Sequence, residues 1–138
     1  MSIFRSVPIS LWNKTIKGLG KDEKIIFLYL YLNKHSHYSG LYSISIPLIA
    51  HETDLTNDEV GKAIGSLVEK GLIGYDNSNE IIWIKDMLKI QYELKGGLTE
   101  NQLKGICNHI ESEDSSKLID EFNLYYGYLL DKIKVGEK

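Results

Sequence analysis

The stretch Gly40–Ile84, GLYSISIPLIAHETDLTNDEVGKAIGSLVEKGLIGYDNSNEIIWI, decides how the chain is read. Gly40 to Ile44 is a short β-branched and aromatic run with the character of a strand. Ile46 to His51 follows as a short helix, with Pro47 near its start, where a missing N–H costs nothing. Asp54 to Asn57 makes a turn. Thr56-Asn-Asp-Glu59 is then a capping box: the Thr56 hydroxyl can accept from the Glu59 N–H, and the Glu59 carboxylate can reach back to the Thr56 N–H. Leu55 and Val60 are placed to close over that start as a hydrophobic staple. Val60, Ile64, Leu67 and Val68 fall on one helical stripe, and Lys70-Gly71 ends the helix. Leu72 to Tyr75 and Ile81 to Ile84 are two strands around the turn-forming residues Asp76 to Asn79.

The order strand, helix, turn, helix, strand, tight turn, strand is the outline of a winged helix-turn-helix. The expected fold class is therefore mainly α with a small antiparallel β wing. Working outward, Ser10 to Gly20 carries Leu11, Trp12, Ile16 and Leu19 and reads as a short amphipathic helix. Ile25 to Leu32 is apolar but for its tyrosine hydroxyls. Periodicity alone allows a buried strand or a buried helix there, and the acidic start at Asp22 and Glu23 favours helix. Lys85 to Lys95 fits a helix or an extended segment equally. After Gly96-Gly97, Thr99 and Gln102 repeat the capping box before a helix to about Glu111 that would bury Leu103, Ile106, Cys107 and Ile110. Ser112 to Ser115 is a second break. A final helix carries Leu118, Ile119, Phe122, Tyr125 or Tyr126, Leu129, Leu130 and Ile133 at helical spacing. The division expected is a winged-helix domain over residues 1–95 and a C-terminal helical extension over 96–138, packed on that domain or on a partner subunit.

With 138 residues, 43% of them hydrophobic and 25% charged, the chain can bury a real core as one domain plus an appendage. No apolar run approaches the ~18 residues a membrane helix needs, and no signal-peptide core follows Met1, so a cytoplasmic protein is expected. The single cysteine, Cys107, excludes an internal disulfide. The net charge of −3 is unevenly spread. Residues 1–40 hold six basic against two acidic side chains, a net of +4, whereas residues 41–84 hold two against seven, a net of −5. Duplex DNA is bound chiefly by neutralising phosphates, so an acidic reading head stands in tension with a DNA-binding outline.

The second helix of the motif offers Asn57, Lys62, Ser66 and Lys70 as groups able to contact bases or phosphates. The wing tip adds Asn77, Ser78 and Asn79. Arg5, Lys14, Lys17, Lys21 and Lys24 form a basic N-terminal cluster, either a solvated helix surface or a phosphate-gripping arm. Gly61 and Gly65 lie one turn apart and make a side-chain-free strip, suited to close approach of another backbone or to packing under a neighbouring helix. Enzyme chemistry is thin: His35, His37, His51 and Glu52 lack metal-binding spacing, Gly18-Leu-Gly-Lys21 lacks the Ser/Thr of a phosphate loop, and no cofactor is expected. Nine tyrosines and two tryptophans could stack on single-stranded bases, but most lie in apolar runs and read as core.

Several segments together resemble the N-terminal domain of phage replication-initiation proteins (replisome organisers) and the related DnaD-type primosomal proteins. They are Leu28-Tyr-Leu-Tyr-Leu32, Gly40-Leu-Tyr42, Ile49-Ala-His-Glu-Thr-Asp-Leu55, Asp58-Glu-Val60, Leu67-Val-Glu-Lys-Gly-Leu-Ile73, Tyr75-Asp76, Ile82-Trp-Ile84 and Lys89-Ile-Gln91. The likeness covers about residues 8 to 92, with a looser match over Leu118 to Tyr126. It implies a non-enzymatic DNA-binding and assembly module for replication initiation. Its partners would be DNA, duplex ahead of single strands, further copies of itself and replication proteins, with no membrane. The family's basic excess on the second helix is not present in this sequence. The same outline also accommodates an oligomerisation module that touches no DNA, or a transcriptional regulator.

Overall fold

The computed structural model describes residues 5, 7–37, 39–94 and 116–127. Its elements are a π-helical turn (Leu11–Thr15), α1 (Lys21–Leu32), β1 (Leu41–Ser43), α2 (Ile46–Thr53), α3 (Asn57–Glu69), β2 (Ile73–Asp76), β3 (Ile81–Ile84), α4 (Met87–Leu94) and α5 (Ser116–Tyr125). The chain is thus mainly helical, with one small antiparallel sheet in the order β1-β3-β2. The helix expected over Thr99 to Glu111 and the final turns carrying Leu129, Leu130 and Ile133 lie outside the described residues.

Local signals explain most of these boundaries. The apolar run from Ile25 is helical: Ile26, Phe27, Leu30 and Tyr31 are buried, and Asp22 and Glu23 sit in the first turn, where carboxylates oppose the helix dipole. Asn33 closes α1, its side-chain amide donating to the carbonyls of Tyr29 at 2.9 Å and Leu30 at 3.3 Å. The Ser45 hydroxyl caps α2 by accepting from the Leu48 N–H at 3.3 Å. α2 runs two residues past the expected His51, because the Thr53 hydroxyl donates back to the Ile49 carbonyl at 2.7 Å and left-handed Asp54 takes the C-cap. The capping box of α3 forms as read, with Glu59 N–H to Thr56 at 3.1 Å and Thr56 N–H to the Glu59 carboxylate at 2.9 Å. Its buried stripe is Val60, Ala63, Ile64 and Leu67; Val68 is 41% exposed, so Ala63 takes the place expected of it. The undecided segment after β3 is helical: buried Gln91 on α4 donates to the Tyr31 hydroxyl at 2.7 Å, tying α4 to α1.

The N-terminal segment departs from expectation. At about 100° per residue an α-helix would set Trp12 between Leu11 and Ile16 on one buried face. The turn is instead π-helical, closed by the Ile16 N–H donating to the Leu11 carbonyl at 3.0 Å. That i→i+5 bond brings Leu11 and Ile16 together into the core. Trp12 is left outside, 56% exposed.

Residue pairing puts Leu41, Trp83 and Gly74 abreast on one face of the sheet. Tyr42, Ile82 and Tyr75 stand abreast on the other. The second face belongs to the main core, where Tyr42, Ile44, Ile73, Ile82 and Ile84 meet the buried sides of α1, α2 and α3. The first is covered by α5 and the residue after it, with Leu118, Phe122 and Tyr126 buried. Trp83 lies edge-on to Phe122 with ring centroids 5.8 Å apart. Gly74 makes room for this: a Cβ there would stand 2.9 Å from Leu118 Cδ2. The Tyr126 hydroxyl donates to the Lys85 carbonyl and accepts from the Lys89 N–H, so the end of α5 is pinned to the entry of α4. β3 is therefore buried at all four positions rather than alternating, as a strand covered on both sides must be.

Candidate nucleic-acid interface

The outward face of α3 presents Asn57, Asp58, Lys62, Gly65 and Glu69, all exposed, with Gly61 half-buried beside them. A Cβ built at Gly61 or Gly65 would meet nothing within 4 Å, so among the described residues the glycine strip does not pack under a neighbouring helix. Ser66 and Lys70 do not join this face. They turn toward α1, where the Ser66 hydroxyl donates to Glu23 Oε2 at 2.7 Å and Lys70 Nζ pairs with the same oxygen at 2.8 Å. The other Glu23 oxygen accepts from the Gly20 N–H at 3.1 Å. One carboxylate thus caps α1 and fastens it to α3.

Lys70, Ser66 and the Gly20 N–H hold the Glu23 carboxyl below the usual carboxylate range, against a smaller upward push from burial. A carboxylate with a lowered native pKa contributes stability above its unfolded value, and that contribution is lost as pH falls through the native one. Glu23→Gln is therefore expected to lower the melting temperature near neutral pH and to flatten its fall on acidification. A melting series in acid and neutral buffer checks this; a variant whose melting curve tracks the parent at every pH would show that the junction contributes nothing.

The remaining candidates divide in the same way. The Arg5 guanidinium donates to the Ser36 carbonyl at 2.8 Å and so pins the N-terminal segment to the loop after α1. Lys24 Nζ lies 5.2 Å from the Trp12 ring centroid, a cation–π contact. Lys14, Lys17 and Lys21 are exposed. The Thr56 backbone and hydroxyl hold Glu59 below its ordinary value, with Lys21 and Lys62 adding to the effect. Lys62 and Glu59 share a shallow cleft of about 330 Å³ with Asp22, Glu23, Ala63 and Ser66, at the border of α1 and α3. At the hairpin tip Asp76 draws the turn inward. It accepts from the N–H groups of Ser78 at 3.0 Å and Asn79 at 3.2 Å, and from the Asn79 side-chain amide at 3.0 Å. Asn77 and Ser78 remain exposed at the tip, but the Asn79 amide is occupied by the turn.

Compared with protein-family models, with curated proteins and with solved structures, the chain matches none. Glu52 accepts from the Tyr29 hydroxyl at 2.7 Å, and His37 Nδ1 lies 2.7 Å from the Ser39 hydroxyl, so both are used in local structure. Among the described residues no group of three or more His, Cys, Asp or Glu is placed to hold a metal. No helix among them is long and apolar enough to cross a membrane. Trp12 is the surface group that sequence periodicity missed, because an α-helical reading puts it on the buried face.

Proposed function

We propose that the chain is a winged helix-turn-helix module of the phage replication-initiation type, non-enzymatic, which binds duplex DNA along its N-terminal lysine edge. The observation that carries this reading is the division of the basic side chains. Arg5, Lys24 and Lys70 have partners within the fold, whereas Lys14, Lys17, Lys21 and Lys62 are exposed around the start of α1 and its border with α3. Phosphates gripped at that edge position the domain without reading sequence. Beyond Lys62, the outward face of α3, with Gly61, Gly65, Asp58 and Glu69, then stays clear of the duplex and is available for self-association or for other replication proteins.

Fluorescence anisotropy of a labelled duplex at several salt concentrations tests this. Three or four neutralised phosphates give a slope of about −3 in log affinity against log salt. The charge reversal Lys14→Glu/Lys17→Glu/Lys21→Glu is expected to lower affinity at least ~10-fold at low salt, as losing several phosphate contacts requires, whereas Ser66→Ala is expected to change nothing. No binding at low salt, or binding indifferent to the reversal, would overturn the reading. The second reading, a protein-interaction module without DNA, would then stand on the open Gly61/Gly65 strip and the exposed Val68 beside it.

A further inference from the structure

We propose that Trp12 is a stacking platform for an unpaired base, so that the lysine edge binds single-stranded nucleic acid as well as duplex. The inference deepens the lysine-edge reading and rests on it. Trp12 is held outward by the backbone, since the i→i+5 bond from Ile16 to Leu11 commits its two neighbours on that turn to the core. Turning the indole inward would expel Leu11 or Ile16. The indole is 56% exposed and its backbone is set by that turn.

Its surroundings set the ligand. Exposed Lys14 and Lys17 follow Trp12 in the same segment and exposed Lys21 opens α1, while Lys24 lies over one face of the ring, 5.2 Å from its centroid, so a base would take the other face. An exposed aromatic ring among cations is the arrangement that tracks a single strand, with bases stacking on the ring while the phosphates meet the cations. Every base has a π-face, so binding of this kind tolerates any sequence. In a duplex the base faces are already stacked on each other, and only the lysines can act. Trp12 therefore adds to single-strand affinity alone. The other tryptophan, Trp83, is buried between β3 and α5 and takes no part.

The test uses the full chain with short oligo(dT), oligo(U) and a duplex of equal length, reading both tryptophan emission and the anisotropy of labelled strands. Single strands are expected to quench emission saturably, with the quenching lost in Trp12→Phe and Trp12→Ala. Trp12→Ala should weaken single-strand binding about tenfold and leave duplex binding unchanged, and Trp12→Phe should recover most of the loss because a flat ring remains. Equal affinity for oligo(dT) and oligo(U) supports recognition by stacking and phosphate alone; a preference for one supports the same site with sugar contacts and names the strand. Single-strand affinity unchanged in Trp12→Ala, as for an indole that faces a protein partner, overturns the proposal, as does an equal loss for duplex and single strand. Duplex binding with no single-strand binding overturns this inference and leaves the lysine-edge reading standing, whereas no binding to either overturns the lysine-edge reading itself.

Discussion

Gly40→Ala is expected to lower the melting temperature by roughly 10 °C, a destabilisation of about 3 kcal/mol. Gly40 has a φ of +84°, in the left-handed region, where a side chain costs ~1–2 kcal/mol. Space is the larger difficulty. An added Cβ would stand 2.4 Å from the Ile84 carbonyl oxygen and 3.1 Å from Met87 Cβ. Neither can retreat: the Ile84 N–H donates to the Gly40 carbonyl at 2.8 Å, and Met87 is buried in the main core. The substitution must separate β1 from β3 or push α4 outward, and overpacking of that kind costs a further ~1–3 kcal/mol. Thermal unfolding followed by circular dichroism measures the change. The fair control is Gly71→Ala, which shares the strain of a positive φ (+76°) but meets nothing within 4 Å. If both variants melt alike, the close approach at Ile84 is not what fixes Gly40.

Phe122→Ala is expected to free α5 while the rest of the fold stays intact. Phe122 is fully buried, with ring centroids 5.8 Å from Trp83 and 5.0 Å from Tyr126. Removing such a ring costs ~3–5 kcal/mol, a large share of what Leu118 and Phe122 on the helix and Tyr126 just after it contribute. The main core contains neither α5 nor Trp83, so the loss falls on one side of the sheet. Hydrogen exchange should show α5 amides losing protection while those of α1 and α3 keep theirs, and Trp83 emission should shift to the red. Leu124→Ala, at a position 89% exposed, should do neither. Equal loss of protection in α1 and α3 would mean that the two apolar layers melt as one unit.

The elements of residues 40–84 were legible because their signals are local. A capping box, a proline in a first helical turn and a run of turn-forming residues each act within four residues of chain, and the structure places α2, α3 and the β2–β3 hairpin within two residues of where they predict. What the sequence hid depends on distance or on an unexpected period. Ser66 and Lys70 resemble an outward pair on the second helix of the motif, but their partner Glu23 lies 43 and 47 residues earlier, beyond any local pattern. Val68 and Trp12 share one cause. Their apolar side chains fit an α-helical stripe, but α3 fills its stripe with the smaller Ala63, and the turn that carries Trp12 is π-helical. The sheet's second covered face was written in Ile81-Ile-Trp-Ile84, whose lack of alternation belongs to a strand with no solvent side.

That doubly covered strand also bears on how the chain comes off the ribosome. Translation proceeds at ~5–20 residues per second, N-terminal portions folding first. The sheet and the helices that complete the main core are all in hand by Leu94, but the helix that shields Trp83 begins only at Ser116. For a second or more, at those rates, the nascent protein holds Leu41, Ile81 and Trp83 without the cover of α5, beside a run of four residues with strong strand propensity. A shortened version ending between these points would make that exposure permanent, and with it a tendency to aggregate. Crowding among neighbouring nascent chains therefore falls hardest on this side of the sheet.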